Sequence, residues 1–281
     1  MIPSDIVFVP SQSPPAESLN IDTIPGDKSV SHRALILGSL LSQPLRCENI
    51  LQSEDCLNTA RIMQALGVPM DVEPNAITIQ GVGKHGLQAP KEMLDVGNSG
   101  TGIRLLMGLL AAQAFESKIT GDASIQKRPM KRVISPLSEM GAEISGVESK
   151  GDILPPLDIS PADKITGINY DLPVASAQVK SAILLAGLFS VEDIQVNSPA
   201  PCRDHTERMM AHFSVPIDYT ETQATIRGPR ELKAPSDTLV IPSDVSSSLF
   251  FIVLALLTKG ARFATIGINE SRIAAVTALQ A

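Results

Sequence analysis

Four stretches of the chain are apolar nearly all round: Ala34–Leu41, Ile103–Ala112, Val179–Phe189 and Leu249–Leu257. None carries the polar stripe of a surface helix, so each predicts a helix buried between other elements. Gly108 and Gly187 lie inside two of them and allow a neighbour to approach closely. Small polar residues precede each stretch: Lys28-Ser29, Asn98-Ser99, Ser176-Ala177 and Ser246-Ser247. The starts at 29, 99, 176 and 246 are separated by steps of 70, 77 and 70 residues. A regular step of this kind predicts structural repeats.

The order of elements recurs as well. After each apolar helix comes a strand-like piece, as in Ser117–Thr120, Asp193–Val196 and Arg262–Ile266. An amphipathic helix follows: Cys56–Leu66, Pro129–Met140, Thr206–Phe213 and part of another at Ser271–Gln280. In the helix from Pro129, residues Val133, Ile134, Leu137 and Met140 form one stripe. Pro129 suits the first turn, and Pro136 predicts a kink. The pattern then changes to period two, and Ala76–Ile79 and Ala224–Ile226 read as hairpin strands. Each unit is therefore a helix–strand–helix–hairpin module of α+β class. The fourth unit reaches Ala281 without its hairpin, so truncation is expected, with an exposed apolar face on that unit and self-association. Pro3–Asp22 falls outside the repeat and is assigned to whatever the fourth unit begins.

Composition narrows the function classes. The 281 residues suit one large domain or two ordinary ones, and 43% hydrophobic content supports a sizeable core. With no Trp, two Tyr and seven Phe, that core must be aliphatic. A net charge of −7 argues against a general nucleic-acid binder, so any anion site must be a local basic cluster. Cys47, Cys56 and Cys202 match neither a disulfide framework nor a zinc pattern. Met1–Pro15 lacks a basic-then-apolar signal sequence, and the longest apolar run, nine residues at Leu249–Leu257, is short of the ~20 that span a bilayer. A soluble cytoplasmic protein is expected.

The candidate chemistry sits at helix starts. Gly26 to Arg33 reads Gly-Asp-Lys-Ser-Val-Ser-His-Arg after a Pro25-Gly26 turn. Turn, small polar residues, then helix presents backbone N–H groups to an anion. Ser29 or Ser31 is the expected cap. Lys28 adds a point charge, and Arg33 a planar fork suited to phosphate or carboxylate. A capped helix with two solvated cations is the plainer alternative. Asn98-Ser99-Gly100-Thr101-Gly102 lets backbone approach a ligand, or is a tight turn. Gln126 to Arg132 holds four cations without an acid at a predicted helix start, where the macrodipole disfavours them. A bound anion would offset both; a solvated basic face is the alternative. Ser176-Ala177-Gln178 opens the third apolar helix as an ordinary cap or as a seat for phosphate oxygens. Arg203 stands before the second helix of unit three as Arg128 does in unit two, with Asp204 or Thr206 as cap and His205 read as structural. No metal pattern and no nucleophile triad stand out, and no cofactor is expected. In a repeat fold Lys28, Arg33, Arg128 and Arg203 can converge at one end, suiting a substrate with phosphate and carboxylate groups.

Pro25 to Arg33, Gly97 to Arg104, Gly121 to Met130, Ala175 to Lys180 and Arg203 to Glu207 resemble, in order and spacing, the 5-enolpyruvylshikimate-3-phosphate synthases of bacteria. The resemblance runs from about Ile24 to the end. It implies an enolpyruvyl transferase fold of two domains, each of three βαβαββ units, closing around the substrates. It implies transfer of the enolpyruvyl group from phosphoenolpyruvate to the 5-hydroxyl of shikimate 3-phosphate, with release of phosphate, in the shikimate pathway of aromatic amino acid biosynthesis. At the matching positions, Lys28 would contact both substrates at the reacting centre, and it is the catalytic assignment. Ser29 and Arg33 would hold the shikimate carboxylate and ring. Ser176 and Ala177 would seat the shikimate phosphate, with Arg203 supporting that side. Gly100 and Arg128 would bind phosphoenolpyruvate, and Gln178 would touch both ligands. Ala at the position of Gly100 is associated in this family with glyphosate insensitivity, so a complete enzyme of this sequence is expected to be sensitive. The implied partners are two small molecules, neither nucleic acid nor membrane, and the full-length form is expected to be a monomer.

The resemblance also divides the chain. Residues 27–240 would form one complete three-repeat substrate-binding domain. Residues 241–281 would be the first, incomplete repeat of the second domain, to which 1–26 would also belong. Six units of roughly 70 residues need about 420. The carboxylate general acid/base and several phosphoenolpyruvate-clamping cations would lie in the remainder. A non-catalytic, truncated form that only binds shikimate 3-phosphate is the alternative. The sister transferase acting on UDP-N-acetylglucosamine is set aside, because it carries a Cys in the loop equivalent to Asp122–Lys127 and none stands here. Two departures touch turns: Ser243 replaces a usual Gly, and Ser214-Val215 a usual Gly-Ala.

Overall fold

The computed structural model of the protein describes residues 24–228 and 230–258. The expected strand Arg262–Ile266, the expected helix Ser271–Gln280 and segment 1–23 lie outside the described residues. In chain order the elements are α1 (Lys28–Ser39), β1 (Pro44–Glu48), α2 (Glu54–Ala65), β2 (Met70–Glu73), β3 (Ala76–Gln80), β4 (Leu94–Asp95), α3 (Gly100–Leu110), β5 (Ser117–Thr120), α4 (Lys131–Glu139), β6 (Ile144–Ser149), β7 (Asp152–Ile159), β8 (Ile168–Asp171), α5 (Ala177–Gly187), β9 (Ile194–Asn197), α6 (His205–His212), β10 (Ile217–Tyr219), β11 (Gln223–Ile226), β12 (Thr238–Val240) and α7 (Val245–Leu257).

The strands form three four-stranded sheets on one plan: β12-β1-β3-β2, β4-β5-β7-β6 and β8-β9-β11-β10. In each, a leading strand pairs in parallel with the next, and a hairpin is added antiparallel. A parallel pair needs a crossover, which an apolar helix supplies within the second and third sheets. An antiparallel pair needs only a tight turn, as at Lys150-Gly151, whose φ angles are 53° and 81°.

This plan corrects the helix–strand–helix–hairpin module. Each unit has a further strand at its head and is βαβαββ. Leu94–Asp95 is only two residues long, and Ile168–Asp171 is four residues long with none buried, so neither stands out as a core strand. In the first sheet the leading strand is β12, which follows the third unit; Arg46 pairs with Thr238 and Cys47 with Leu239.

Beyond β12 the chain runs beside residues 24–27. Gly26 and Ser243 form an antiparallel bridge. Asp27 N donates to Pro242 O at 2.8 Å, and Asp244 N to Pro25 O at 2.9 Å. Ser243, where the resemblance leads one to expect Gly, donates its hydroxyl to Ile24 O at 3.2 Å and so cross-links this passage. The other departure, Ser214, has a φ of 64° just after α6, the left-handed position that Gly adopts without strain.

The core lies between the inner helices and the sheets. Every residue of α1 from Ser31 to Ser39 is buried. Helix α3 meets α5 at Gly108, where a Cβ would lie 2.2 Å from Ala182 O. At Gly187 a Cβ would meet the Ile194 side chain of β9 at 2.7 Å. The stripe Val133, Ile134, Leu137 and Met140 is buried as expected. Helix α4, however, starts at Lys131 rather than Pro129. Met130 precedes it and donates its N–H to Ile153 O on β7 at 2.9 Å, which ties the peptide before the helix to the sheet. Pro136 sits inside α4, and the helix continues to Glu139. On α7 the apolar face is open, with Phe250 79% and Leu257 81% exposed, as expected for the fourth unit. No helix among the described residues is long and apolar enough to cross a membrane.

Candidate active site

The first turns of α1, α2, α3 and α5 converge. Together with the turn after β5, they line a cavity of about 420 Å³ formed by Lys28, Asp55, Asn98, Gly100, Thr101, Arg128 and Gln178. All four residues expected at phosphoenolpyruvate (Lys28, Gly100, Arg128 and Gln178) are therefore in one place. Ser29, Arg33, Ser176, Ala177 and Arg203, expected on the shikimate side, do not line this cavity.

Lys28 stands at the start of α1 with its side chain 46% exposed and its Nζ 2.7 Å from Asp55 Oδ2. The cap of α1 is neither Ser29 nor Ser31. Asp27 accepts from Ser29 N at 2.8 Å and from Val30 N at 3.1 Å. Asp244 accepts from Lys28 N at 3.4 Å. Two carboxylates thus occupy the amides that the sequence pattern offers to an anion, and the cation that this helix start presents to the cavity is the Lys28 side chain. Ser31 Oγ instead accepts from Leu51 N at 3.0 Å.

Arg128 is carried by the turn that follows β5, outside any α-helix, which removes the expected conflict with a macrodipole for Arg128, whereas Lys131 and Arg132 do stand in the first turn of α4. Asp122 shapes this turn by accepting from Ser124 N and Ile125 N, each at 2.9 Å. Those backbone bonds, Ile125 first, hold the Asp122 carboxyl below its ordinary pKa against desolvation. Asp122 Oδ2 accepts from Asn98 Nδ2 at 2.7 Å, and Asn98 Oδ1 accepts from Arg128 Nη2 at 3.1 Å. Arg128 is therefore aimed at the first turn of α3, which Ser99 caps by accepting from Gly102 N at 2.9 Å. Arg104 donates to Gly100 O at 2.9 Å from below. Burial, and then the charges of Arg128 and Arg132, lower its pKa, which marks an excess of cations here. Gln178 Nε2 donates to Thr101 Oγ1 at 3.0 Å and ties α5 to α3 across the cavity.

The remaining residues form a layer beside and beneath it. Ser176 caps α5, accepting from Val179 N at 3.4 Å. The amides of Ala177 and Gln178 lie at a helix start, where no intrahelical acceptor exists. Arg203 is exposed in the segment before α6. Arg33 is only 3% exposed. Its Nε donates to Thr206 Oγ1 at 2.6 Å, Nη2 to Ser181 Oγ at 2.7 Å and Nη1 to Ser29 O at 2.8 Å. The fork that the sequence offers to a ligand is in this structure spent on α5, α6 and α1 itself. Burial brings its pKa down to about 10 against the opposing Glu207 charge, so Arg33 stays a cation at neutral pH.

Asp55, Asn98 as the carrier of Arg128, and Arg104 are the site residues that the sequence did not single out. Asp55 lies in an acidic first turn of α2, an ordinary helix-start pattern that carries no mark of a site.

Comparison with known proteins shows the family of the chain. The family model of EPSP synthase (3-phosphoshikimate 1-carboxyvinyltransferase) matches residues 18–281. The 3-phosphoshikimate 1-carboxyvinyltransferase of Coxiella burnetii is 43% identical over 280 residues, covering 98% of this chain and 62% of that protein. The one from Alkalilimnicola ehrlichii is 46% identical over 260 residues, covering 92% and 57%. EPSP synthase from Acinetobacter baumannii superposes with a TM-score of 0.84 at 42% identity, over 92% of this chain and 58% of that one. The chain thus spans about three fifths of the length of the curated relatives it matches. With its three βαβαββ sheets and a cavity formed by the matching motifs, the chain belongs to the EPSP synthase (3-phosphoshikimate 1-carboxyvinyltransferase) family.

Proposed function

We propose that the chain supplies the shikimate 3-phosphate side and part of the phosphoenolpyruvate cavity of an enzyme that transfers the enolpyruvyl group of phosphoenolpyruvate to the 5-hydroxyl of shikimate 3-phosphate, releasing phosphate. The observation that carries this reading is the convergence of Lys28, Gly100, Arg128 and Gln178 on one cavity. Lys28 and Arg128 put two cations where the phosphate and carboxylate of phosphoenolpyruvate would lie. The Asp122–Asn98–Arg128 chain fixes one of them, and Asp55 aims the other. Preorganised cations stabilise charge that gathers on a departing phosphate without reorganising at the moment of reaction. The chemistry they would serve is protonation of the enol carbon, attack by the 5-hydroxyl to give a tetrahedral intermediate, and elimination of phosphate. Ser29, Ser176, Ala177 and Arg203 are read as the seat of shikimate 3-phosphate, with Arg33 beneath them. We read 27–240 as the complete three-repeat domain and 1–26 with 241–281 as parts of the second. The full-length protein is read as a cytoplasmic monomer and a target of glyphosate.

The test is phosphate release from phosphoenolpyruvate on adding shikimate 3-phosphate, beside the melting temperature with shikimate 3-phosphate alone. Glyphosate-sensitive release supports transfer. A raised melting temperature without release supports the binding role of this chain alone. The absence of both effects would overturn the reading.

Two substitutions probe the cavity in a full-length form. Arg128→Ala is expected to weaken phosphoenolpyruvate binding by about 1.5–3 kcal/mol, the scale of a hydrogen bond to a charged group. Unchanged affinity in a titration would contradict the assignment. In Gly100→Ala the new Cβ would stand 2.4 Å from Arg128 Nη1 and 3.2 Å from Arg104 Nη1. The tip of Arg128 must then move. Phosphoenolpyruvate affinity is expected to fall about tenfold, or ~1.4 kcal/mol, with shikimate 3-phosphate affinity unchanged. An equal loss for both ligands would show that the helix start, not Arg128, had been disturbed.

A further inference from the structure

Beside the shikimate side lies a buried charged pair that does not line the cavity described above. Lys180 of α5 is 1% exposed and Glu207 of α6 is 0% exposed, and the Lys180 ammonium sits directly against Glu207 Oε1. Among the described residues, neither carboxylate oxygen of Glu207 has a hydrogen-bond partner beyond this contact. Taking two charges out of water costs several kcal/mol per ion, and a pair with unfilled hydrogen-bonding capacity recovers little of it. Apolar residues of the same size would hold α5 on α6 as well. What such residues lack is the demand for a single relative placement of the two helices.

The position of the pair gives that demand a use. Lys180 lies one turn above Ser176-Ala177-Gln178, and Glu207 lies in the first turn of α6, directly after Arg203 and its neighbours. Burial alone would lower the pKa of Lys180. The Glu207 carboxylate, and then the Cys202 thiol, outweigh it and hold the pKa above the ordinary lysine value. The Lys180 ammonium is thus tied to the first turn of α6, four residues after Arg203. Arg33 closes the same joint from α1 through Ser181 and Thr206, whose hydroxyl oxygens are 2.6 Å apart.

We propose that Lys180 and Glu207 are positioning residues: their buried ion pair sets the Arg203 segment against the Ser176–Gln178 turn, so that one phosphate group meets both. The proposal rests on the reading of these two segments as the seat of shikimate 3-phosphate.

The test uses the whole chain in three forms: wild type, Glu207→Gln, and the double variant Lys180→Met with Glu207→Leu. Three quantities are measured: melting temperature, shikimate 3-phosphate affinity by calorimetry, and the rate of thiol labelling by an aromatic disulfide. Cys47 and Cys56 are buried, with thiols pushed up to about 12 chiefly by burial, so the labelling reports on half-buried Cys202. Glu207→Gln is expected to lower the melting temperature and weaken affinity at least tenfold. The double variant is expected to regain the wild-type melting temperature yet bind at least tenfold more weakly. Its Cys202 should label severalfold faster, because the segment is freed. A double variant with wild-type melting temperature, affinity within twofold and no faster labelling would overturn the proposal. If the wild type itself fails to bind shikimate 3-phosphate, the functional reading falls. The labelling rate of the double variant then decides the pair, and an unchanged rate overturns it.

Discussion

An Arg33→Ala variant is expected to lose about 3–5 kcal/mol of unfolding free energy, the range for removing one member of a buried charged network. Arg33 is 3% exposed and donates to three oxygens, two on the side chains of Ser181 and Thr206 and one on the backbone of Ser29. Its loss leaves a void between α1, α5 and α6 and removes three charge-assisted bonds at once. Arg33→Lys is expected to recover less than half of the loss, because a point charge on a flexible stem cannot serve the two hydroxyls and the carbonyl together. Urea unfolding of the three forms gives the comparison. A loss below ~1 kcal/mol for Arg33→Ala, the value of an exposed ion pair, would mean that the guanidinium is not the joint between these helices.

The second large effect is a loss of stability in acid that His32 alone should cause. His32 is fully buried, with Nδ1 2.8 Å from Thr59 Oγ1 and Nε2 3.3 Å from Ser99 Oγ. Burial first, then the Arg33 charge, push its pKa down to about 3; Asp55 opposes and Lys28 adds to the shift. In the unfolded chain the imidazole binds its proton near pH 6.5, as free histidine does. Between those two values the unfolded state holds one more proton than the folded state. Stability therefore falls as pH drops below about 6.5, by ~1.4 kcal/mol per unit, and levels off only near pH 3. At pH 4.5 this single residue removes about 2.7 kcal/mol relative to neutral pH. The variant His32→Asn keeps one donor and one acceptor but does not titrate. Its stability is expected to fall less steeply between pH 6.5 and 4.5, by ~1.4 kcal/mol per pH unit, in denaturant melts at matched ionic strength. Parallel slopes for the two proteins would refute the account. Ser99 is also the cap of the turn that carries Gly100, so His32 joins the acid response to the geometry of the candidate site.

How much of this could be read from the chain depends on where each residue's partners lie. The apolar runs located all four buried-looking helices, but each run starts after the helix does. Helix α3 starts at Gly100 and the run at Ile103; α5 starts at Ala177 and the run at Val179. In α1, α3 and α5 the missing first turns are polar or glycine-rich and bring residues to the cavity, so hydrophobic periodicity finds the anchored part of these helices and motif reading finds the part at the candidate site. Strands β4 and β8 stayed hidden because β4 has only two residues and β8, though it alternates, has only four and buries none of them. Asp27 as a cap was within reach of local reasoning, since Asp before a helix is a preferred N-cap. Serines in the same motif drew attention away from it.

Local chemistry and repetition in the sequence thus settled the repeat, the helices, the aliphatic core and four residues of the cavity. These depend on near neighbours and on a period, and both are written along the chain. The placement of Arg33, the Lys180–Glu207 pair, Asp55 beside Lys28 and β12 in the first sheet depended on the folded arrangement. Arg33 meets Thr206 across 173 positions, and Lys28 meets Asp55 across 27. A cation in a sequence reads the same whether it will face a ligand or a carboxylate from a distant helix. Burial and partner geometry separate the two cases, and both arise only when the helices pack.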